Sequence, residues 1–277
     1  MADHVWTGEK KRRAISSKDL EMRLAINKKY QSKDFIAWLR KRLAVRPNEQ
    51  ILDVGCGTGA QTFFMAEDCG VNGHVTSFDI SSESISTLKE NLPNSLKNRV
   101  SAHSMDMAEM KSFLDKNHSQ KQYTLAQSSY ALYYSPRRIE VLAAMQERTK
   151  DYGRVAIFTP CPPHGMIEFA SKYHKISEPV NDSLHFGIDT LIPLFRECFW
   201  EVEVHYFQSI LATNSVDDFK NFYEASTYYD ELAAKKVIDS AKLAIKENGV
   251  LNFKKCGVLV IGSSLSKLAT DVKDIGN

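Results

Sequence analysis

Residues 51–59 read Ile-Leu-Asp-Val-Gly-Cys-Gly-Thr-Gly, and they constrain the fold of this chain more than any other segment. A short apolar run ends in an acid, Asp53, and three glycines then follow at alternate positions. Glycine adopts left-handed backbone conformations that other residues avoid, and it lets a ligand approach the main chain closely. The segment therefore predicts a buried strand that turns tightly beneath a bound ligand and then enters a helix.

A second acidic residue indicates what kind of ligand this is. Asp79 follows the apolar run at 74–78 and lies about 20 residues beyond Gly59, the spacing at which such an acid accepts hydrogen bonds from ribose hydroxyl groups. The glycine turn and the second acid together indicate a cofactor that contains a nucleoside.

Apolar runs typical of strands alternate with helical patterns along the chain. Predicted helices at 60–69, 82–92, 107–116 and 137–149 separate the first five of seven predicted strands, which are 50–54, 74–79, 99–104, 123–128, 153–159, 201–209 and 254–262. Such alternation is typical of βαβ units, which build a parallel sheet with helices on both faces. We therefore expect an α/β fold with a doubly wound, mostly parallel sheet of seven strands.

The length of 277 residues suits one large domain with insertions. We expect N-terminal helices and one domain over 17–264, with insertions at 160–184 and 212–252 that form a substrate cap. A flexible basic arm over 1–16 and a tail over 265–277 flank this domain.

The first 50 residues carry 13 Lys and Arg against 6 Asp and Glu. A basic arm can dock nucleic acid, although such a cluster is more often a solvated tail.

The cysteines indicate a reducing compartment, because they are scattered and form no C-x-x-C pair, and no histidines stand near them at metal-binding spacing. We expect free thiols, no metal site and a cytoplasmic protein. No apolar stretch approaches the ~18 residues of a membrane-spanning helix, so we expect no membrane association. The oligomeric state is not indicated by any pattern.

Three short motifs resemble those of one known family. Residues 53–59 resemble the first motif of the class I S-adenosylmethionine-dependent methyltransferases, Asp79-Ile80 the second, and Asp106-Met107 the third. The resemblance covers about residues 50–160 and implies a methyltransferase with a Rossmann-like fold. Its cofactor would be S-adenosylmethionine, and its product S-adenosylhomocysteine.

The segment after the fourth predicted strand extends this resemblance. Residues 128–134 read Ser-Ser-Tyr-Ala-Leu-Tyr-Tyr and resemble the family pattern S-x-x-A-L-H-H. The usual pair of histidines is replaced by Tyr133 and Tyr134, which removes a candidate catalytic base. The usual Phe-Asp at the start of this strand is replaced by Tyr123-Thr124. Neither change affects the residues that would bind the cofactor.

The resemblance implies a role for each residue of the first two motifs. Asp53 would accept a hydrogen bond, directly or through water, from the ammonium group of the cofactor. Asp79 would bind both ribose hydroxyl groups, and Ile80 would cover one face of the adenine. The backbone that surrounds the methionine part of the cofactor would come from Gly55, Cys56, Gly57 and Gly59.

Further contacts would come from segments on either side. The carboxylate of Asp106 and the backbone N–H of Met107 would bind the adenine edge, and the backbone carbonyl of Ser128 would lie near the methionine amino group. The segment before the first strand could close over the cofactor, with Tyr30 or Gln31 touching its methionine end.

Nicotinamide-dependent dehydrogenases also have a glycine-rich turn. Their pattern is Gly-x-Gly-x-x-Gly, whereas this chain has Asp-x-Gly-x-Gly-x-Gly and a third acid, Asp106. An acidic pocket suits a cationic sulfonium better than a pyrophosphate. The residues therefore favour a methyltransferase over a dehydrogenase.

The candidate catalytic residues are Tyr130, Tyr134 and His164. A base is needed only when the acceptor atom carries a proton that must leave. His164 lies in Thr-Pro-Cys-Pro-Pro-His-Gly at 159–165, just beyond the fifth predicted strand, where this fold builds its acceptor site. The alternatives are aromatic packing for the tyrosines and an ordinary surface position for the histidine.

The methyl acceptor is expected to be a small molecule that is methylated on O, N or C. Cys161 could serve as the nucleophile of a cytosine-5 methyltransferase, but residues 127–130 read Gln-Ser-Ser-Tyr and lack the partner motif of such enzymes. The Asn/Asp-Pro-Pro-Tyr motif of amino-directed DNA enzymes is also absent. An RNA- or protein-modifying enzyme that docks through its basic arm is the alternative, and a catalytically silent binding protein is a third possibility.

Overall fold

The computed structural model describes residues 6–118 and 121–263. In these residues seven strands form one sheet: β1 (Gln50–Val54), β2 (His74–Asp79), β3 (Val100–Ser104), β4 (Tyr123–Ser129), β5 (Thr149–His164), β6 (Glu201–Thr213) and β7 (Leu251–Ser263). Their order is β3-β2-β1-β4-β5-β7-β6. The first five strands are parallel, and β7 is antiparallel to both of its neighbours. The predicted doubly wound, mostly parallel sheet is confirmed.

The described helices are α1 (Gly8–Ile15), α2 (Ser17–Tyr30), α3 (Phe35–Leu43), α4 (Ala60–Asp68), α5 (Ser82–Asn91), α6 (Met110–Asn117), α7 (Arg138–Glu147), α8 (Gly165–Ala170), α9 (Glu178–Phe186), α10 (Ile192–Cys198), α11 (Val216–Glu224) and α12 (Glu231–Asn248). Short 3-10 turns cover Asn94–Arg99, Met107–Glu109 and Leu132–Tyr134, and a π-helical turn covers Gly187–Leu191. None of the helices in the described part of the chain combines the length and the apolar character needed to cross a bilayer.

The two faces of the sheet are covered by different helices. Successive residues of a strand point to opposite faces, so Leu52 and Ile157 pack with α6, α7 and α10, whereas Ile51 and Phe158 pack with α3 and α4. All four of these side chains are buried. The nearly continuous apolar runs of the central strands follow from this burial on both faces.

Strands β5, β6 and β7 are longer than the sequence indicates. Strand β5 continues to His164, because residues 160–164 still pair with β7 across a register shift after Cys161. The segment 160–184, predicted to be an insertion, therefore begins as part of the sheet. The register places Cys161 opposite Cys256 and His164 opposite Lys255.

A layer of helices packs over the projecting ends of these strands. Side chains of α2, α8, α9, α11 and α12 form one apolar cluster with Leu211 of β6 and Phe253 of β7. We call this layer the cap. It contains most of the two segments that the sequence identifies as insertions, although the division of the chain into one domain with two insertions stays a prediction.

The N-terminal segment differs from the flexible arm predicted for residues 1–16. Helix α1 occupies most of the described part, and Trp6 is buried in the cap cluster with its ring centroid 4.9 Å from that of Tyr134. Arg13 lies over the ring of Tyr229 at 4.4 Å. The arm is held because its tryptophan removes a large apolar surface from water. Residues 1–5 and the predicted tail at 265–277 lie outside the described residues.

Candidate active site

A cavity of about 690 Å³ opens at the carboxyl ends of the parallel strands. Its walls come from the turn after β1, the ends of β2 and β4, and the cap, chiefly through α2 and α9. In open α/β sheets ligands bind in this crevice, where the strand order reverses on either side of the first strand. The cavity is therefore the candidate active site.

The glycine turn forms one wall, and its backbone requires glycine. Gly55, Gly57 and Gly59 have φ values of 78°, 53° and 94°, in the left-handed region. A Cβ on Gly55 would lie 2.1 Å from the Cβ of Ala131, and a Cβ on Gly57 would lie 2.9 Å from Leu20 Cδ2. The turn thus leaves its backbone open to a ligand on one side while it packs closely on the other.

The turn is also fixed to the neighbouring strand. The backbone N–H groups of Gly55 and Cys56 both donate to the carbonyl of Phe78, at 2.7 and 3.0 Å. Gly55, Cys56 and Gly57 line the cavity, and their contact with the cofactor stays a prediction. Gly59 does not line it and instead stands at the N-cap of α4, where its positive φ starts the helix.

Asp79 lies at the end of β2 and lines the cavity. Its Oδ2 accepts the N–H of Gly57 at 2.8 Å, and its Oδ1 accepts the N–H of Ser81 at 2.9 Å. Burial raises the pKa of its carboxyl group. Each carboxylate oxygen can accept a further bond, so the residue keeps sites for two ribose hydroxyl groups. Ile80, 43% exposed, lines the cavity next to it.

Asp53 lies near the end of β1, behind the wall of the cavity. Its side chain is fully buried and does not line the cavity, so a direct contact with an ammonium group does not fit the structure. Its Oδ2 accepts the hydroxyl of Thr62 at 2.6 Å, and its Oδ1 accepts the side-chain amide of Gln127. Burial raises the pKa of Asp53 to about 6. The residue ties the start of the turn to α4 and β4.

Two more predicted contacts lie off the cavity wall. Asp106 accepts the N–H of Ala108 at 2.9 Å and caps a 3-10 turn, while the next residue, Met107, does line the cavity. Ser128 is fully buried, and it is its neighbour Ser129, at the end of β4, that lines the cavity. The third motif therefore reaches the cavity through Met107, one of its two predicted residues, whereas the segment after β4 reaches it one position beyond Ser128.

Of the two N-terminal candidates, the structure favours Gln31. Gln31 lines the cavity, whereas Tyr30 does not. The Tyr30 hydroxyl donates to Asp218 Oδ2 at 2.5 Å, and Lys29 Nζ donates to the same oxygen at 2.7 Å. Tyr30 is the last residue of α2 and its side chain is directed to α11, whereas Gln31 has left the helix with an extended backbone.

The three catalytic candidates Tyr130, Tyr134 and His164 all line the cavity. Tyr130 has a φ of 55°, and its N–H donates to the carbonyl of Phe158 at 3.0 Å. A non-glycine residue in this region is uncommon and marks a constrained position, here directly after β4. Burial raises the pKa of the Tyr130 hydroxyl well above its usual value, so the phenol stays protonated.

His164 ends strand β5 with an unpaired ring nitrogen. Its Nδ1 is buried and has no hydrogen-bond partner, while its backbone N–H donates to Glu168 Oε1 at 3.1 Å. Burial and the nearby charge of Lys255 lower the pKa of His164 to about 4. The imidazole is therefore neutral near pH 7 and has a free nitrogen that can take part in proton transfer.

Four Lys and Arg side chains line the cavity, and none of them was predicted from the sequence. Two of the four have defined contacts. Lys255, on β7, has its Nζ 5.7 Å from the centre of the Tyr130 ring, and Arg23 projects from α2. Neither belongs to a recognisable motif. The sequence offers one indication of the position of Lys255. It lies two residues after the apolar Phe253 in a strand, and residues two apart point to the same face.

Within residues 6–118 and 121–263, no three metal-ligating side chains of His, Cys, Asp or Glu converge. The left-handed glycine turn, the acid at the end of the next strand and the reversed seventh strand define a Rossmann-like protein that binds a nucleoside cofactor. Residues 46–188, slightly more than half of the chain, match the methyltransferase domain family. The chain therefore belongs to the family of class I S-adenosylmethionine-dependent methyltransferases.

Two curated relatives match parts of the chain. The magnesium-protoporphyrin O-methyltransferase of Rhodobacter capsulatus is 33% identical over 113 residues, which is 41% of this chain and 45% of that protein. A protein of Thermoplasma acidophilum named as a cobalt-precorrin-6B C(15)-methyltransferase is 36% identical over 52 residues, 19% of this chain and 26% of its own. The chain thus matches less than half the length of each relative.

Solved structures share the fold at low sequence identity. A methyltransferase structure from Bacillus halodurans has a TM-score of 0.58 at 15% identity and covers 84% of this chain and 99% of its own. The [4+2]-cyclase SpnF has a TM-score of 0.53 at 12% identity, with 86% and 87% covered. A Thiobacillus denitrificans methyltransferase in complex with S-adenosylhomocysteine has a TM-score of 0.50 at 17% identity, with 82% and 90% covered. At these identities the likeness concerns the fold alone.

Proposed function

We propose that this methyltransferase acts on a small organic acceptor enclosed between the glycine turn and the cap. The observation that carries the proposal is one continuous cavity of about 690 Å³ whose wall includes both Asp79, from a cofactor motif, and Tyr228, from the cap. Sites for small molecules and cofactors are concave and measure about 300–1,000 Å³. A nucleoside cofactor and a small acceptor would share this space.

The two ends of the cavity differ in chemistry. The cofactor end presents open backbone at Gly55 and the carboxylate of Asp79, while the cap end presents apolar side chains of Ile167, Val180 and Leu184. Bound S-adenosylmethionine supplies a methyl group on a cationic sulfur. The apolar walls would exclude water and hold the acceptor in line with that group, and alignment and desolvation account for much of the rate of such reactions.

His164 is the proposed proton acceptor. Its Nδ1 lies buried in the cavity wall without a partner, and the neutral imidazole is the form that can take a proton from an acceptor O–H or N–H. Burial keeps the Tyr130 hydroxyl protonated near pH 7, and the hydroxyl groups of Tyr130 and Tyr134 would donate hydrogen bonds to the acceptor. These roles rest on position and are proposals for an acceptor that must lose a proton.

The names of the two curated relatives support a small acceptor. Both describe methyl transfer to small organic molecules, a magnesium protoporphyrin and a cobalt precorrin. The relatives match only parts of this chain, so they support the acceptor class and not a particular compound.

The alternative, docking of RNA or protein through the basic N-terminal segment, receives less support. Arg12 and Arg13 both pair with Glu9, and Arg13 also lies over Tyr229. Some of the positive charges of the segment are therefore already paired within the protein. This alternative is tested by measuring the affinity of the intact protein for RNA at several salt concentrations. We expect no measurable affinity for RNA near physiological salt.

The proposal is tested with methyl-labelled S-adenosylmethionine and a whole-cell extract that contains metabolites, RNA and protein, which are separated before counting. We expect label in compounds of low molecular mass, and no label in protein or RNA. Label that enters only macromolecules would reject the small acceptor. Tight binding of S-adenosylhomocysteine without transfer to any fraction would instead indicate a catalytically silent protein. Calorimetric titration with S-adenosylhomocysteine is therefore run in parallel.

A further inference from the structure

Two cations face the cap end of the cavity without an acidic partner. In the described part of the chain, no Asp or Glu forms an ion pair with Arg23 or Lys255, although both side chains line the cavity. The acids that line the same cavity are Asp34 and Asp79. Asp34 caps α3 by accepting the N–H of Ala37 at 3.0 Å, and Asp79 is bound to the glycine turn. The charge of the cap end is thus uncompensated.

Lys255 is held in place by the sheet. It lies opposite His164 in the β5–β7 register, with its Nζ above the ring of Tyr130. Burying an ammonium group costs free energy unless an anion or several hydrogen bonds compensate it. Burial and the charge of Arg23 lower the pKa of Lys255 to about 7. The buried charge of Lys255 therefore destabilises the protein without a ligand and favours the binding of an anion.

Arg23 is positioned for the same ligand. Its Nη1 donates to the backbone carbonyl of Ala225 at 2.9 Å, which fixes the guanidinium against the loop before α12. A guanidinium carries five N–H donors, so others remain for a ligand. The same loop contributes Tyr228, whose buried hydroxyl has no hydrogen-bond partner and which lines the cavity. Two cations and one unpaired hydroxyl therefore surround one end of the cavity.

We infer that this end of the cavity is an anion subsite, and that the methyl acceptor is an apolar or aromatic compound with a carboxylate or phosphate group. Lys255 and Arg23 bind the anionic group, Tyr228 donates a hydrogen bond to it, and the apolar walls enclose the body of the molecule. The acceptor atom then points to the glycine turn. The inference rests on the proposed function, because it specifies the substrate class of the same cavity.

Small probes test the subsite in protein saturated with S-adenosylhomocysteine. Benzoate, phenyl phosphate and the neutral isostere benzamide are titrated by calorimetry. We expect benzamide to bind at least about tenfold more weakly than the better of the two anions, because a charge-assisted hydrogen bond is lost with the charge. A preference between benzoate and phenyl phosphate distinguishes a carboxylate acceptor from a phosphate acceptor. Equal binding of benzamide and both anions would overturn the inference.

Variants locate the effect. Lys255→Met keeps the unbranched apolar stem and removes the charge, so it should abolish the preference for anions. Lys254→Met, at the adjacent exposed position outside the cavity wall, should leave the preference unchanged. Tyr228→Phe removes only the unpaired hydroxyl and should weaken anion binding without unfolding the protein. If Lys255→Met and Lys254→Met bind benzoate equally, the subsite is rejected.

A separate measurement distinguishes this failure from failure of the proposed function. Each variant is first titrated with S-adenosylhomocysteine alone. Normal cofactor affinity without anion preference rejects only the anion subsite. Absence of cofactor binding in the unmodified protein rejects the proposed function as well.

Discussion

The carboxylate of Asp79 accepts the backbone N–H of Gly57 at 2.8 Å, so the acid at the end of β2 is part of the turn that follows β1. Its other oxygen accepts the N–H of Ser81, the N-cap residue of α5. One side chain therefore links two strand ends and a helix start at the edge of the cavity. A residue that would bind the cofactor also holds the shape of the cofactor site.

Replacing Asp79 by Asn should weaken cofactor binding strongly. The amide keeps the size of the side chain but has only one oxygen that can accept hydrogen bonds. Its NH₂ group is itself a donor, so it cannot accept a backbone N–H or a ribose hydroxyl. We expect affinity for S-adenosylhomocysteine to fall at least about tenfold, since hydrogen bonds to a charged group contribute about 1.5–3 kcal/mol. Asp106→Asn is the matched comparison, because that acid lies off the cavity wall and should lose less. Equal losses in calorimetric titrations would show that the adenine edge depends on Asp106 after all.

Alanine at Gly55 should destabilise the protein by two separate effects. The positive φ of 78° opposes any Cβ, and this Cβ would lie 2.1 Å from Ala131. Gly70→Ala is the control, because Gly70 has a φ of 71° and a Cβ added there would meet no atom within 4 Å. The control isolates the backbone strain, which costs about 1–2 kcal/mol. In urea denaturation, Gly55→Ala should cost about 1–3 kcal/mol more, the usual range for overpacking. If the two variants are equally stable, the turn moves to accommodate the methyl group.

The local parts of the site could be predicted from the sequence. The glycine turn, the acid after β2 and the apolar strands depend on backbone conformation and burial within a few residues, and these leave clear patterns. Two predicted side chains do not line the cavity. Ser128 lies one strand position before the residue that does, and Asp53 is hydrogen-bonded to Thr62 and Gln127. Such differences depend on the detailed packing of β4 and α4, which a motif does not describe.

The cap end of the cavity could not be predicted in the same way. Lys254 and Lys255 are the same residue type at adjacent positions, and only the pairing of β7 with β5 turns one to solvent and the other to the cavity. Arg23 is one of 13 basic residues in the first 50, and its role follows from a contact with Ala225, about 200 residues away in sequence. Long-range contacts of this kind leave no local signal.

Replacing Trp6 by Ala should release helix α1. None of the residues of α1 is itself buried, so Trp6 is its principal apolar contact with the cap. We expect faster amide hydrogen exchange at residues 8–15 and unchanged exchange in β1. Cofactor affinity should fall as well, because Ala14 and Ile15 line the cavity. Val71→Ala, at a side chain that is 78% exposed, is the control and should change neither quantity. Unchanged protection of α1 in the Trp6 variant would show that other contacts hold it.

The charge of Lys255 should make anion binding depend on pH. Its pKa is lowered to about 7, so the free protein loses this cation as the pH rises above 7. Three titratable groups that line the cavity beside it do not change charge between pH 6 and 9: the pKa of His164 is lowered to about 4, and burial raises the pKa of Tyr130 and of Tyr228. Benzoate affinity should therefore be highest below pH 7 and decrease above it.

The same lysine should affect stability in the opposite direction. In the unfolded chain its pKa returns to the ordinary value near 10.5, so between pH 7 and that value the unfolded state binds more protons than the folded state. Folding therefore becomes more favourable as the pH rises through this window, and the cost of the buried charge is fully present below pH 7. The difference in urea midpoint between the unmodified protein and Lys255→Met should shrink from pH 6 to pH 9, while Lys254→Met shows no such trend. A pH-independent difference, together with pH-independent benzoate affinity, would mean that Lys255 does not titrate in the cavity.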